Sequence, residues 1–347
     1  MTAVADLYAQ EDILEMQCRS DVGKPLAHGA VSEVSRIYAA VTQPSTVVSH
    51  QIERRNHVVV LKRSGTRLFL PGGQYTDTAA MRSFISELRI LSQKAIREHP
   101  NIVKLLGVHW DYFETCYPEP SLLLEKANTD LARFQPRQDT PFIQSPPRVS
   151  NRLLKYRHRS LPFETKKSIS LDIARGLAAL HQSGVIHGDL KPQNVLIFKM
   201  PTLHAKIADF SHSLLDTRDT RTLVGGTWVY SAPEWDESAS TEDLLKTDIY
   251  SYGLIFGGFM LGDKLVATVR RNPPFNSNIS TEETIRRLKV DDHMNDYLFR
   301  LVHLVDRENL DSNLHEFPLI YIVFENTLQL DPKTRNLDRV LDFLGGR

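Results

Sequence analysis

The sequence is poor in cysteine and carries no excess of charge of either sign. Its 347 residues include two cysteines, Cys18 and Cys116, too few for a disulfide framework or a cysteine-based zinc site. The 42 Lys and Arg residues balance 42 Asp and Glu residues, whereas proteins dedicated to nucleic acids or anionic membranes usually carry a basic excess. We therefore expect a reducing compartment and no nucleic-acid partner.

Long apolar runs are also missing. The most apolar stretch, 252–261, is ten residues long, whereas a helix needs about 20 apolar residues to cross a bilayer. Residues 1–17 mix acidic residues such as Asp6 and Glu11 with short apolar pieces, without the basic-then-apolar order of a secretory signal. The sequence therefore predicts a soluble cytoplasmic protein with no membrane span, and leaves a nuclear location open.

The composition that is present, 41% hydrophobic and 24% charged residues, is typical of a globular protein with a sizeable core. At about 150 residues per domain, the length suggests two domains or lobes. Runs rich in β-branched residues at 31–41, 47–52 and 58–61 predict strands. Apolar residues at helical spacing predict helices over 81–97 and 163–181. We expect a small β-rich lobe followed by a larger helical lobe.

Residues 135–161 have a different composition. Four prolines fall within twelve residues at 136–147, which excludes a helix or a central strand and predicts a surface loop. The wider stretch 133–167 contains nine basic residues and two acidic ones, so its net charge is +7. A solvated insertion accounts for this pattern, and a docking site for an acidic partner is the alternative.

The most informative motif spans 187–194 and reads HGDLKPQN. An Asp, a Lys two residues on and an Asn five residues on can face one pocket if the loop is rigid. This set suits phosphoryl transfer, because Asp189 can orient a hydroxyl nucleophile, Lys191 can contact the γ-phosphate and Asn194 can ligate Mg²⁺. Taken alone, the same residues are also typical of a turn with a solvated aspartate.

Further motifs follow in order. A predicted strand at 205–208 leads into Asp209-Phe210-Ser211, segment 226–234 reads GTWVYSAPE, and segment 248–253 reads DIYSYG. With these motifs the chain resembles the eukaryotic protein kinase family, of the serine/threonine type, over about residues 22–345. The resemblance implies an α+β bilobal kinase fold, with a small β-rich N-terminal lobe that holds one main helix and a larger, mainly helical C-terminal lobe. It also implies ATP and Mg²⁺ as cofactors, and proteins phosphorylated on serine or threonine as substrates.

The resemblance divides the chain into an N-terminal extension (1–20), the N-terminal lobe (21–124) and the hinge with the C-terminal lobe (125–347), which carries the insertion at 135–161. It implies Asp189 and Lys191 as catalytic residues and Asn194 and Asp209 as metal ligands. The implied ATP-binding residues are Leu26, Ala27, Gly29, Val34, Lys62, Glu87, Leu124, Glu125, Ala127 and Leu196.

Among these, segment 26–34 resembles the glycine-rich loop over the ATP phosphates, although one of its three glycines remains. Lys62 matches the lysine that contacts the α- and β-phosphates, and Glu87 matches the helix glutamate that pairs with it. At the hinge, Leu124 would lie behind the adenine ring, and the backbone of Glu125 and Ala127 would bond its edge.

Two residues depart from the family pattern. Gly188 stands where the family usually has the arginine that reads a phosphate on the activation segment, and Ser211 stands where the family has glycine. Both changes put regulation in question more than chemistry. Glu234 with Arg335 resembles the family's buried ion pair, and Asp248 would accept backbone N–H groups from the catalytic loop.

Three functions are compatible with these motifs. A serine/threonine protein kinase is favoured by the sequence of residues 191–194 and by Thr227, which can bond Asp189 and Lys191. A catalytically weak, pseudokinase-like ATP-binding scaffold is the first alternative, because the glycine-rich loop is depleted and Ser211 replaces a glycine. A small-molecule kinase of the same fold is the second alternative, but segment 232–234 argues against it.

Overall fold

The computed structural model describes most of the predicted core elements. The described residues are 14–15, 25–28, 32–38, 58–64, 78–111, 119–134, 161–215, 223, 226–237, 240–261, 265–271, 274, 279–308 and 317–345. The predicted strand at 47–52, Gly29 and residues 135–160 of the predicted insertion lie outside these ranges.

The N-terminal part forms a six-stranded sheet in the order β1-β5-β6-β4-β3-β2. The strands are β1 (Leu14–Glu15), β2 (Pro25–His28), β3 (Ser32–Tyr38), β4 (Val58–Ser64), β5 (Leu105–Asp111) and β6 (Glu119–Glu125). Neighbouring strands are antiparallel, except that β1 runs parallel to β5. β1 comes from the predicted N-terminal extension, so that part of the extension belongs to the sheet.

The sheet carries helix α1 (Thr78–Ser92), which is followed by the single turn α2 (Lys94–Arg97). The prediction of one continuous helix over 81–97 is wrong. Gln93 adopts extended backbone (φ −62°, ψ 127°) and separates two helices. The apolar periodicity continues across the break, since Leu91 and Ile96 are both fully buried. Periodicity reports which side chains are buried, and it does not report a local interruption of the backbone.

The rest of the described chain is mainly helical. The helices are α3 (Phe163–Gln182), α4 (Thr241–Leu261), α5 (Leu265–Arg271), α6 (Thr281–Val290), α7 (Met294–Glu308), α8 (Phe317–Thr327) and α9 (Leu337–Gly345). Two small sheets, β10-β9-β7 and β11-β8, are formed by β7 (Thr129–Asp130), β8 (Val185–Ile186), β9 (Val195–Phe198), β10 (His204–Ile207) and β11 (Leu214–Leu215). The α+β architecture predicted from the sequence is confirmed.

Helix α4 lies at the centre of the helical part. Its residues 247–258 are buried on every side, as expected of a helix surrounded by other elements. Gly253 allows α4 to approach α8 closely, because a Cβ atom at this position would lie 2.4 Å from Thr327 Oγ1. No helix in the described ranges is long and apolar enough to cross a membrane.

The sheet and the helical part are joined by backbone hydrogen bonds beside the predicted site. Val103 N donates to the Ile207 carbonyl at 2.9 Å, and Ile207 N donates to the Asn101 carbonyl at 2.8 Å. Asn101 Nδ2 also donates to the Ala205 carbonyl. These bonds fix β10, and therefore the residues that follow it, against the segment between α2 and β5.

Candidate active site

The loop at 187–194 lies between β8 and β9, and its backbone donates hydrogen bonds to a buried carboxylate on α4. Asp248, which is 1% exposed, accepts hydrogen bonds from His187 N at 2.7 Å and from Gly188 N at 3.0 Å. The His187 ring contacts the Ala208 carbonyl through Nε2 at 3.1 Å. The loop is therefore anchored on both sides, which is the rigidity that its motif requires.

Asp189 is held at both carboxylate oxygens. Thr227 Oγ1 donates to Oδ1 at 2.9 Å, and Lys191 Nζ donates to Oδ2 at 2.5 Å. Lys191 Nζ also donates to Thr227 Oγ1 at 2.9 Å, and Asn194 Nδ2 donates to the Asp189 carbonyl at 2.9 Å. The predicted catalytic pair and the peptide segment at 226–234 thus meet in one network, in which Asp189 is 6% exposed.

A second cluster joins the sheet to the segment after β10. Lys62 Nζ, on β4, donates to both oxygens of Glu87 on α1 at 2.7 and 2.8 Å. The same nitrogen donates to Asp209 Oδ1 at 2.7 Å. Lys62 and Glu87 are separated by 25 residues, and Lys62 and Asp209 by 147. The structure therefore brings three of the predicted site residues together around one ammonium group.

Burial and charge act in opposite directions in this cluster. Burial would lower the pKa of Lys62, but the Glu87 and Asp209 carboxylates outweigh it and raise that pKa. Burial would raise the pKa of Asp209, but Lys62 and Ser211 hold it well below its usual range. Burial raises the pKa of Glu87, and Lys62 opposes the shift. Lys62 and Asp209 are consequently an ion pair at neutral pH.

The oxygens near Asp209 fit a divalent cation. Ala208 N donates to the Asn194 carbonyl at 2.9 Å, so Asn194 and Asp209 lie at the same end of the β9–β10 hairpin. Within the described residues, no hydrogen bond reaches Asn194 Oδ1 or Asp209 Oδ2. Carboxylate and amide oxygens are the ligands that Mg²⁺ prefers, and one or two protein ligands suffice where substrate phosphates complete its shell. The described residues therefore fit Mg²⁺ bound together with a phosphate compound.

The predicted hinge residues lie at the end of β6. Leu124 is buried, whereas Glu125, Ala127 and Leu196 on β9 are half-buried. Glu125 N donates to the Lys104 carbonyl at 3.1 Å, so this N–H group is not free to bond an adenine ring.

The Glu125 carboxylate is also engaged, since Lys206 Nζ donates to it at 2.6 Å and Lys104 N at 2.8 Å.

In the predicted glycine-rich loop, Leu26 and Ala27 lie on β2, and Ala27 is paired with Val34 on β3. Gly29 lies outside the described residues.

Sequence reasoning missed several residues of the site. His212 Nδ1 lies 4.0 Å from Asp189 Oδ2. Ser83 and Ser86, on α1 beside Glu87, donate to the carbonyls of Ser211 and Ser213 at 3.0 and 3.5 Å. The two serines are three residues apart and both precede the predicted glutamate on the same helix, which was the available signal. His212 is a single histidine, and no sequence pattern indicated that it belongs to the site.

The segment at 226–234 is fixed by two further basic side chains. Arg335 is fully buried and donates to both oxygens of Glu234. Lys289, on α6, is 6% exposed and donates to the carbonyls of Trp228 and Ser231, both at 2.7 Å. The sequence analysis identified Arg335 but not Lys289. Both side chains hold the segment that places Thr227 beside Asp189.

Comparison with known proteins agrees with this geometry. The family model described as protein kinase domain matches residues 44–336. A probable serine/threonine-protein kinase of Arabidopsis thaliana, PBL15, is 32% identical over 205 residues, which are 57% of this chain and 41% of the relative. Putative wall-associated receptor kinase-like 16 of the same plant is 28% identical over 270 residues, 76% of this chain and 51% of the relative. The chain thus spans about half or less of these relatives. It belongs to the protein kinase domain family.

Proposed function

We propose that the chain transfers the γ-phosphate of Mg-ATP to serine or threonine hydroxyls of protein substrates. The observation that carries the proposal is the presence of two hydrogen-bonded clusters of charged side chains. Lys62 is bonded to Glu87 and Asp209 on one side, and Asp189 is bonded to Lys191 and Thr227 on the other. Phosphoryl transfer depends mainly on such positioning and on charge, because the protein has little covalent chemistry to perform.

The charges of the site suit a nucleotide bound with a cation. Two ammonium groups, on Lys62 and Lys191, face three carboxylates, on Glu87, Asp189 and Asp209, so the formal charge is −1. A triphosphate is strongly anionic and would be repelled by this balance without a divalent cation. Asn194 and Asp209 would hold Mg²⁺, which would supply positive charge to offset the negative charge of the phosphates.

Asp189 would act on the acceptor hydroxyl. Thr227 and Lys191 fix its two oxygens, so the carboxylate has one orientation in which to accept the hydroxyl proton. Lys191 would also neutralise the transferring phosphate. The serine/threonine preference is supported by Thr227 in this network and by the names of the relatives, which are serine/threonine or receptor kinases. A cytoplasmic location and an acidic partner for segment 135–161 stay predictions.

A direct test combines nucleotide binding with transfer. The protein is incubated with Mg-ATP and a basic protein substrate, and the products are scored for phosphoserine, phosphothreonine and phosphotyrosine. We expect phosphoserine or phosphothreonine, and an increase in Tm with Mg-ATP, because a ligand bound to the native state adds stability. In the Asp189→Ala variant, transfer should fall by roughly 10²–10⁴-fold while the Tm increase persists.

Other outcomes separate the alternatives. A Tm increase with no transfer by the wild-type protein would favour an ATP-binding scaffold. Near-normal transfer by Asp189→Ala would show that another group activates the hydroxyl. No Tm increase at millimolar Mg-ATP would contradict both the kinase and the scaffold.

A further inference from the structure

Ser211 lies at a junction between the two clusters of the site. Its hydroxyl donates to Asp209 Oδ1 at 2.7 Å, and its backbone N–H donates to the same oxygen at 3.4 Å. Its carbonyl accepts the hydroxyl of Ser83 on α1 at 3.0 Å. Ser83 therefore holds the Ser211 main chain against α1, while the hydroxyl and the N–H of Ser211 donate to the carboxylate of Asp209.

The hydrogen-bond donors in this junction can be assigned. The Ser211 hydroxyl has one proton, and Ser211 donates that proton to Asp209 Oδ1 in the 2.7 Å contact. The second contact, Ser211 Oγ to His212 Nδ1 at 3.2 Å, then needs the histidine as donor. His212 consequently carries a proton on Nδ1, 4.0 Å from Asp189 Oδ2. Ser211 and His212 thus form a hydrogen-bonded bridge from Asp209, and because the Nδ1–H proton goes to Ser211, Nδ1 makes no hydrogen bond to Asp189 Oδ2.

Gly188 makes room for this bridge. Its φ is +76°, in the left-handed region that favours glycine, and a Cβ atom there would lie 2.8 Å from the His212 carbonyl oxygen. Because the close atom belongs to the backbone, a larger residue would displace the His212 main chain. The position of the His212 main chain, and with it the bridge, therefore depends on the glycine of the catalytic loop.

We propose that Ser211 and His212 are positioning residues: Ser211 holds Asp209 with Oδ2 left for the metal ion, and His212 Nδ1–H holds the Ser211 hydroxyl in the orientation that donates to Asp209. The inference rests on the proposed function and deepens it. Lys62 and Ser211 both occupy Asp209 Oδ1, so the second oxygen is the one left as a ligand. Hydrogen bonds to charged groups are worth more than neutral ones, so losing the Ser211 hydroxyl should measurably loosen the carboxylate.

The test for Ser211 measures metal binding apart from turnover. Mn²⁺ is titrated in the presence of ADP, and free Mn²⁺ is followed by electron paramagnetic resonance, for the wild type, Ser211→Ala and Ser211→Thr. We expect Ser211→Ala to weaken Mn²⁺ binding about tenfold, equal to 1.4 kcal/mol, and Ser211→Thr, which retains the hydroxyl, to stay close to the wild type. Ser183→Ala is the matched control, since its hydroxyl donates to the Ala179 carbonyl at the end of α3.

The test for His212 uses substitutions that differ in the position of the donor. An asparagine amide can replace the Nδ1–H donor, whereas glutamine places its amide where Nε2 lies. We expect His212→Asn to keep kcat close to the wild-type value and His212→Gln to lower it about tenfold, with KM for Mg-ATP changed less than kcat. Circular dichroism of each variant shows that the fold is retained.

The outcomes distinguish this inference from the proposed function. If Ser211→Ala binds Mn²⁺ like the wild type, or if the wild type binds no Mn²⁺, Ser211 does not position a metal ligand. Equal kcat values for His212→Asn and His212→Gln would overturn the role of His212. A wild type that binds Mn²⁺ but transfers no phosphate would overturn the proposed function alone, and the Ser211 comparison would still decide the metal-positioning claim.

Discussion

Replacing Glu234 with glutamine should destabilise the protein strongly, because it leaves a buried charge without its counterion. Arg335 has no exposed surface and donates to both oxygens of Glu234. Its remaining N–H groups donate to the backbone carbonyls of Gln329, Lys246 and Leu330. Those carbonyls accept the hydrogen bonds of the guanidinium group, but they do not neutralise its positive charge. Glutamine retains the size of glutamate and removes only the negative charge.

The expected loss of stability is large for one side chain. Removing one partner of a buried ion pair costs about 3–5 kcal/mol, because the other charge stays buried and uncompensated. Typical unfolding free energies are roughly 5–15 kcal/mol, so this is a substantial fraction. At about 2 °C per kcal/mol, the low end of the scale for large domains, Tm should fall by roughly 6–10 °C.

The assay is a thermal unfolding scan followed by circular dichroism, and the chain offers a matched control. Glu283 on α6 also bonds two arginine side chains, Arg286 and Arg287, at 2.7–2.8 Å, but these arginines are about half exposed or more. Exposed ion pairs contribute little to stability, so Glu283→Gln should leave Tm nearly unchanged. If Glu234→Gln lowers Tm no more than Glu283→Gln, the buried pair does not stabilise the fold as argued.

Three further predictions follow from other contacts. Lys62→Met should strongly lower the rate of transfer and raise KM for Mg-ATP, because Glu87 and Asp209 lose their shared cation; steady-state kinetics showing normal values would contradict this. Gly253→Ala should cost roughly 1–3 kcal/mol through overpacking between α4 and α8, and a wild-type midpoint in urea unfolding would refute it. Burial lowers the pKa of Lys289 to about 7, against the opposing Glu234 carboxylate. Because the unfolded chain then binds more protons above pH 7, the stability of the wild type relative to Lys289→Met should rise by about 2 kcal/mol from pH 7 to pH 9; a difference independent of pH in urea titrations would show that this lysine keeps an ordinary pKa.

Several elements could be predicted because local patterns determine them. The β-branched segments at 31–41 and 58–61 contain most of β3 and β4, and the apolar period at 163–181 corresponds to α3. These patterns report which face of a segment is buried, and burial is the main force that selects a strand or a helix. The break at Gln93 escaped prediction because burial continues across it.

The grouping of the site residues was predicted in a different way. No periodicity relates Lys62 to Asp209, which is 147 residues away. The order of the motifs, and their resemblance to a family, indicated that these segments would meet. Asp189, Lys191 and Asn194 lie within six residues, and the sequence alone could indicate their shared pocket once the loop was taken as rigid.

The sequence by itself determined the types of chemical group at the site and the lobe from which each one comes. Only the tertiary structure decided which neighbour completes each group: Ser211 for Asp209, His212 near Asp189, and Lys289 for the carbonyls of Trp228 and Ser231. The physical reason is that hydrogen bonds and ion pairs act over a few ångströms. Such distances between segments far apart in the chain are set by packing of the whole fold. Ser83 is an ordinary helix serine until the packing of α1 brings it to the Ser211 carbonyl.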